Sequence, residues 1–156
     1  MNPSASDIMV NDAQTSDDIQ EIVDTFELLG DWDQRYEYLV ELGERLAPMD
    51  PADKTDANRV MECMSTVHVV ARPLYGADAD HSGGKLRFAG DCDTAIIKGV
   101  VALLVGLFSG KTRQEIEQTD IDDLFTGLKL EEHLSPNRHV GVYAIVNKIK
   151  RQAANA

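Results

Sequence analysis

The sequence predicts an α+β fold, a small antiparallel sheet of about three strands packed against several helices. Two patterns predict it. A β-branched run (Thr66–Arg72) and an alternating run (Lys85–Ala89) are separated by turn-forming residues, as in a hairpin. The segment 95–108 is apolar on nearly every side, as a buried central helix is. Helices in runs around one small sheet make an α+β layer arrangement.

The elements follow in chain order. Residues 1–15 are small and polar with no sustained period, and read as a disordered acidic tail. Residues 16–156 are expected to form one domain, since about 150 residues is ordinary domain size. A helix is predicted from Thr15 or Ser16, where Thr15 and Asp18 have the spacing of a capping box. Ile19, Ile22, Val23, Phe26 and Leu29 keep helical spacing, and Gly30 is the expected C-cap. A second helix carries Tyr36, Leu39, Val40, Gly43 and Leu46 on one face, and Pro48 and Pro51 end it. Trp32 and Tyr36 read as a packing cluster at its start. Residues 47–57 form a loop.

A third strand is expected around residues 58–62, ahead of the Thr66–Arg72 strand that Pro73 ends. Residues 76–84 form the turn, where Gly83 and Gly84 precede a strand rather than a phosphate-binding helix. Asp78 and Asp80 lack the rest of a calcium loop and read as a solvated hairpin tip. Asp93 or Thr94 is expected to cap the buried helix, and Gly110 to end it. Thr112 and Glu115 form a capping box for a short helix to about Gln118. Another short helix is expected over 121–127. Ser135 and Pro136 supply an N-cap and an N1 proline for a last helix to about Arg151.

The chain has 27 acidic and 15 basic residues, a net charge of −12. Nine of the acids and no Lys or Arg lie in residues 1–34. No cluster of cations exists to meet a phosphate backbone or an anionic membrane, so neither nucleic acid nor membrane is an expected partner. No apolar run reaches the length of a membrane span, and the N-terminus lacks the pattern of a secretory signal. Two cysteines make no disulfide framework, so reduced thiols and a cytoplasmic setting are expected.

Those two cysteines are the candidate reactive groups. Cys63 sits just before a strand, among the polar residues Glu62, Ser65 and Thr66. Cys92 sits between Asp91 and Asp93, where a helix N-terminus lowers a thiol pKa and the carboxylates raise it. The residues alone do not rank the two. A metal-binding or scaffold module using Cys63, Cys92, His68 and His81 is the alternative. Its ligand spacings match no compact zinc pair, and neither a metal nor a cofactor of its own is expected. His68 lies five residues from Cys63, on the opposite face of an extended segment, and is poorly placed as its base.

Five segments, in order, resemble a known family. They are Trp32 with Arg35–Leu46, Asn58-Arg59-Val60 with Cys63–Val67, Gly90–Gly99, Phe108–Thr112, and Leu134–Arg138 with Gly141. Together they are similar to SufE-type sulfur-acceptor proteins. The resemblance implies a fold like that of iron–sulfur scaffold proteins. It implies a pyridoxal-phosphate cysteine desulfurase as partner, whose persulfide sulfur the acceptor thiolate takes and delivers to an iron–sulfur scaffold complex. The acceptor is then an accessory protein with a reactive cysteine rather than a free-standing enzyme. By position Cys63 is the acceptor, and Arg138 matches a family arginine, whose expected role here is that of a cation favouring thiolate or persulfide. Three positions depart from the family pattern. Glu62 stands where Gly is usual, His68 where Trp is usual, and Cys92 where Ser is usual.

The acidic tail generates the first test. Residues 1–15 hold no apolar period to dock, so a chain beginning at Thr15 is expected to keep the full-length melting temperature in a thermal unfolding scan. A substantial drop would show that the tail packs on the body.

Overall fold

The computed structural model describes residues 20–63, 65–73, 84–130, 134 and 136–155, with residues 136–139 described as helix backbone only. Its described part is α+β, with six helices and a two-stranded antiparallel sheet. Helix α1 (residues 20–28) and helix α2 (Trp32–Glu44) form a hairpin at the N-terminal side. Two 3-10 turns, Pro51–Asp53 and Asp56–Asn58, lead to β1 (Val67–Pro73). Strand β2 (Leu86–Cys92) pairs with β1 from Val67↔Cys92 to Pro73↔Leu86. Then come α3 (Ala95–Phe108), α4 (Arg113–Gln118), α5 (Asp122–Leu128) and α6 (Pro136–Asn155).

Helix α3 is the hub. Ile97, Val100, Val101, Leu103, Leu104 and Phe108 are buried along it. Burying one such side chain contributes roughly 1.5–3 kcal/mol, so this helix supplies much of the drive to fold. On one side α3 meets α2 at two glycines. A Cβ on Gly99 would lie 2.1 Å from the Leu39 carbonyl oxygen, and one on Gly43 would lie 2.9 Å from the Gly99 nitrogen. The two backbones therefore touch, and no larger residue fits between them. On the other side α3 lies on the sheet, where a Cβ on Gly90 would lie 2.8 Å from Val101 Cγ1. Phe88 of β2 meets Phe108 edge to face at 6.5 Å.

Helix α6 closes the far side of β1. Gln152 Nε2 donates to the Val69 carbonyl (3.2 Å) and to Asn58 Oδ1 (2.9 Å), and Lys148 Nζ donates to the Ala57 carbonyl (2.6 Å). At the α1–α2 hairpin, Arg35 Nε donates to the Phe26 carbonyl (2.8 Å) while its guanidinium lies 5.2 Å from the Trp32 ring. Trp32 stacks obliquely on Tyr36 at 5.3 Å, the packing cluster expected at that helix start.

Several expectations are corrected. The third strand around residues 58–62 is reduced to a single bridge, Arg59↔His68, because the chain turns away at Met61 and Glu62. Strand β2 runs on to Cys92 instead of stopping at Ala89, since Gly90 lets it lie flat on α3. Gly30 is not in the left-handed region, where among the described residues only Lys129, Gly84 and Gly110 have positive φ. Gly110 ends α3 as expected, and the Thr112–Glu115 capping box is present with both of its hydrogen bonds. The last helix reaches Asn155, beyond Arg151. The tail, the Thr15–Asp18 capping box, Asp78, Asp80, His81 and Ser135 lie outside the described residues.

Two glycines give opposite expectations. In a helix interior, Gly→Ala gains about 1 kcal/mol of propensity. At Gly127 of α5 nothing lies within 4 Å of the new Cβ, so Gly127→Ala stabilises by roughly that amount. At Gly99 the clash with the Leu39 carbonyl dominates, and overpacking of about 1–3 kcal/mol makes Gly99→Ala destabilising. Urea midpoints of the two variants should move in opposite directions.

Candidate functional site

The turn that carries Cys63 is built from the bridge outward. Beyond Arg59↔His68, the Val60 N–H donates to the Val67 carbonyl (2.9 Å). The Cys63 N–H then donates back to the Val60 carbonyl (3.3 Å), closing a tight turn. Met61 and Glu62 stand exposed on it, and Cys63 is half-buried. Glu62 has no positive φ, so the turn does not require the glycine usual at that position in the resembled pattern.

The end of β2 clamps this turn. Past the Val67↔Cys92 pair, Thr66 and Asp93 exchange two bonds. The Thr66 N–H donates to Asp93 Oδ1 (3.0 Å), and the Asp93 N–H donates to the Thr66 carbonyl (3.2 Å). The Ser65 and Thr94 hydroxyls share a hydrogen bond of 2.7 Å. Thr94 is the N-cap of α3 by backbone only, without a side-chain cap bond. The acidic and hydroxyl side chains expected to cap the helix are used instead to hold the Cys63 segment.

The two thiols differ in setting. Cys63 Sγ faces α6 at a position where any side chain is excluded, since a Cβ on Gly141 would lie 2.9 Å from it. Val140, beside Gly141, and Met61, beside Glu62, are apolar side chains left 61% and 65% exposed. Both stand open to solvent on the segments that carry Cys63 and Gly141. Cys92 is buried on the core side of the sheet and packed among core residues. Burial pushes its thiol up. The Thr94 N–H, 3.4 Å from its sulfur, works the other way, while Asp93 and the nearby Cys63 thiol add to the rise, and the net shift is upward. Burial, with the Asp93 carboxylate, outweighs the lowering by the Thr94 N–H at the helix terminus.

Behind the clamp sits an ionic group that no local sequence pattern signals. Asp91 lies 2.7 Å from Lys54 Nζ and 3.4 Å from Lys98 Nζ, and its Oδ1 accepts from the Cys92 N–H (2.9 Å). Burial would raise its pKa, but the Lys54 hydrogen bond, the Cys92 N–H and the two lysine charges together hold it below the usual carboxylate range. Lys54 comes from a loop far off in sequence, so only the folded chain reveals the group. The Ser65–Thr94 and Thr66–Asp93 contacts were likewise missed. The signal for them was the strand register, which runs one residue past Val67↔Cys92 into Thr66 and Asp93.

Arg138 is in the first turn of α6, three residues before Gly141, and its side chain lies outside the described residues. His68 is half-buried in β1, opposite Asp91 and bridged to Arg59. For the alternative of a metal module, no group of three or more His, Cys, Asp or Glu side chains among the described residues is placed to hold an ion. Nor is any helix among them long and apolar enough to cross a membrane.

The family model described as "SufE: Fe-S metabolism associated domain" matches residues 20–153. The chain belongs to the SufE family. Relatives agree with this. An uncharacterized SufE-like protein of Rhizobium meliloti is 36% identical over 135 residues, covering 86% of this chain and 94% of that protein. A second, from Rhizobium etli, is 34% identical over 135 residues and covers 86% and 88%. The solution structure of a hypothetical protein from Thermus thermophilus superposes with a TM-score of 0.67 at 22% identity, over 88% of this chain and 94% of that one. That likeness shows the fold. Membership places this SufE-family chain in iron–sulfur metabolism.

Asp91 generates a pH test. Its folded pKa is below its unfolded value, so its ion pairs stabilise the fold above about pH 4 and are lost as pH falls through the folded pKa. Asp91→Asn should lower the urea midpoint at neutral pH and flatten its fall on the acid side. An unchanged acid limb would show that the Lys54–Asp91–Lys98 group does not act on stability.

Proposed function

We propose that this SufE-family protein accepts persulfide sulfur at Cys63 from a pyridoxal-phosphate cysteine desulfurase and delivers it to an iron–sulfur scaffold complex. The observation that carries the reading is the contrast between the thiols. Cys63 is partly exposed on a turn that carries the exposed Met61 and Glu62, whereas Cys92 is buried with a raised pKa. Sulfur transfer needs a thiol that another protein can reach, because the attacking sulfur must meet the outer sulfur of the donor in line.

In the proposed step the Cys63 thiolate attacks the outer sulfur of the desulfurase persulfide. A new S–S bond forms on Cys63, and the desulfurase cysteine leaves as thiolate. The clamp from Thr66 and Ser65 to Asp93 and Thr94 keeps the turn presented to the partner. Met61 and Val140 offer apolar contact beside the thiol. Arg138, one helical turn before Gly141, is proposed to favour the anionic sulfur. The chain is proposed to work in the cytoplasm, where thiols stay reduced. Its single domain spans residues 16–156 in this reading, with an acidic tail ahead of it.

The test is Cys63→Ser, read in a desulfurase assay and by intact mass. The variant should keep the fold, gain no sulfur from desulfurase and cysteine, and fail to stimulate turnover, because a hydroxyl is a poor acceptor of sulfane sulfur. Undiminished stimulation would sink the assignment.

A further inference from the structure

The proposed relay uses Cys63 and leaves Cys92 without a task. Yet the fold brings the two together. Thr66 is hydrogen-bonded on both sides to Asp93, and Ser65 to Thr94, so the segment carrying Cys63 runs alongside the residues that follow Cys92. Thr94, which shares its hydroxyl hydrogen bond with Ser65, also gives its N–H to the Cys92 sulfur at 3.4 Å, so one residue touches both the Cys63 segment and the Cys92 thiol. Cys63 packs against the same core cluster that contains Cys92. Its turn carries the solvent-exposed Met61 and Glu62.

We infer that Cys92 is the resolving thiol for sulfur held on Cys63, closing a Cys63–Cys92 disulfide and releasing sulfide. The inference rests on sulfur being carried at Cys63. The Cys92 thiol loses its proton and attacks the inner, Cys63 sulfur of the persulfide. The bond between the Cys63 sulfur and the outer sulfur breaks, and the outer sulfur leaves with the electron pair as hydrosulfide, which takes up the proton. Cys92 sulfur is oxidised from thiol to disulfide, the outer sulfur is reduced to sulfide, and the Cys63 sulfur keeps its oxidation level. No further oxidant is required, and a small thiol reductant reopens the disulfide by exchange.

The setting of Cys92 makes this step slow. Its burial and the Asp93 carboxylate keep it protonated at neutral pH, and only the thiolate attacks. A docked acceptor therefore takes the sulfur first, and an unclaimed persulfide is discharged later. Cys92 limits how long this protein holds reactive sulfur, and is not needed for stimulating the desulfurase.

The experiment loads the full chain with inorganic polysulfide, removes the excess, and follows it by alkylation, intact mass and sulfide release. Wild type should lose the added sulfur, lose both alkylatable thiols, yield a Cys63–Cys92 crosslinked peptide without reductant, and release sulfide in step. Cys92→Ser, with Cys92→Ala as a second variant, should keep the added sulfur on Cys63 and lose both the crosslink and the sulfide release. The crosslinked peptide is sought in wild type directly, so a variant that fails to fold leaves the test intact. The inference is overturned if wild type holds its persulfide as long as the variants do, if the crosslink joins two chains, or if the sulfur moves onto Cys92. Polysulfide loading bypasses the desulfurase. Failure of the relay would appear as no sulfur gained from desulfurase and cysteine, while the resolving step is still read here.

Discussion

Backbone contact between α2 and α3 at Gly43 and Gly99 is the constraint on which the rest of the structure depends. It fixes α3, whose apolar surface forms the centre of the core. Strand β2 then lies on α3 because Gly90 leaves room for Val101, and this lets the strand run straight to Cys92. The residues just beyond, Asp93 and Thr94, are thereby placed where they can hold Thr66 and Ser65. A close helix contact far from Cys63 thus determines where Cys63 stands.

The site is organised by hydrogen bonds and charge more than by burial. Asp91, paired with Lys54 and Lys98, braces the end of β2 from outside, and the Cys92 N–H adds to that bracing. Inside, Cys92 sits in the core with its thiol held protonated. Outside, Cys63 rests against Gly141, where the absence of a side chain makes room for its sulfur. One short stretch of strand and turn therefore presents a reachable thiol and conceals a second one beside it. The same polar contacts that hold the turn tie the Cys63 segment to the residues that follow Cys92.

Much of the fold was legible because its signals are local. The all-round apolar segment of α3, the Thr112–Glu115 capping box, the Gly110 stop and the β1–β2 hairpin each follow from neighbours in sequence. The third strand failed because a β-like composition at residues 58–62 says nothing of whether a partner continues alongside. Only Arg59 finds one, and the chain turns at Met61 and Glu62. Thr94 is the N-cap of α3 as expected, but it makes no side-chain cap bond, because capping residues and loop-binding residues are the same types. Which role wins depends on what lies opposite, and here that is Thr66 and Ser65.

By itself the sequence determined the α+β class, the buried helix, and two candidate cysteines, one of them marked by family resemblance. Periodicity, capping and turn chemistry act within a few residues, so they can be read from the chain directly. The tertiary structure decided which thiol is the more exposed, that Gly141 receives it, that Lys54 and Lys98 meet at Asp91, and that Ser65 and Thr66 are held by Thr94 and Asp93. These are contacts between segments tens of residues apart. Burial, electrostatic fields and hydrogen-bond partners at such sites are set by what the rest of the chain packs against them, and no local pattern encodes that.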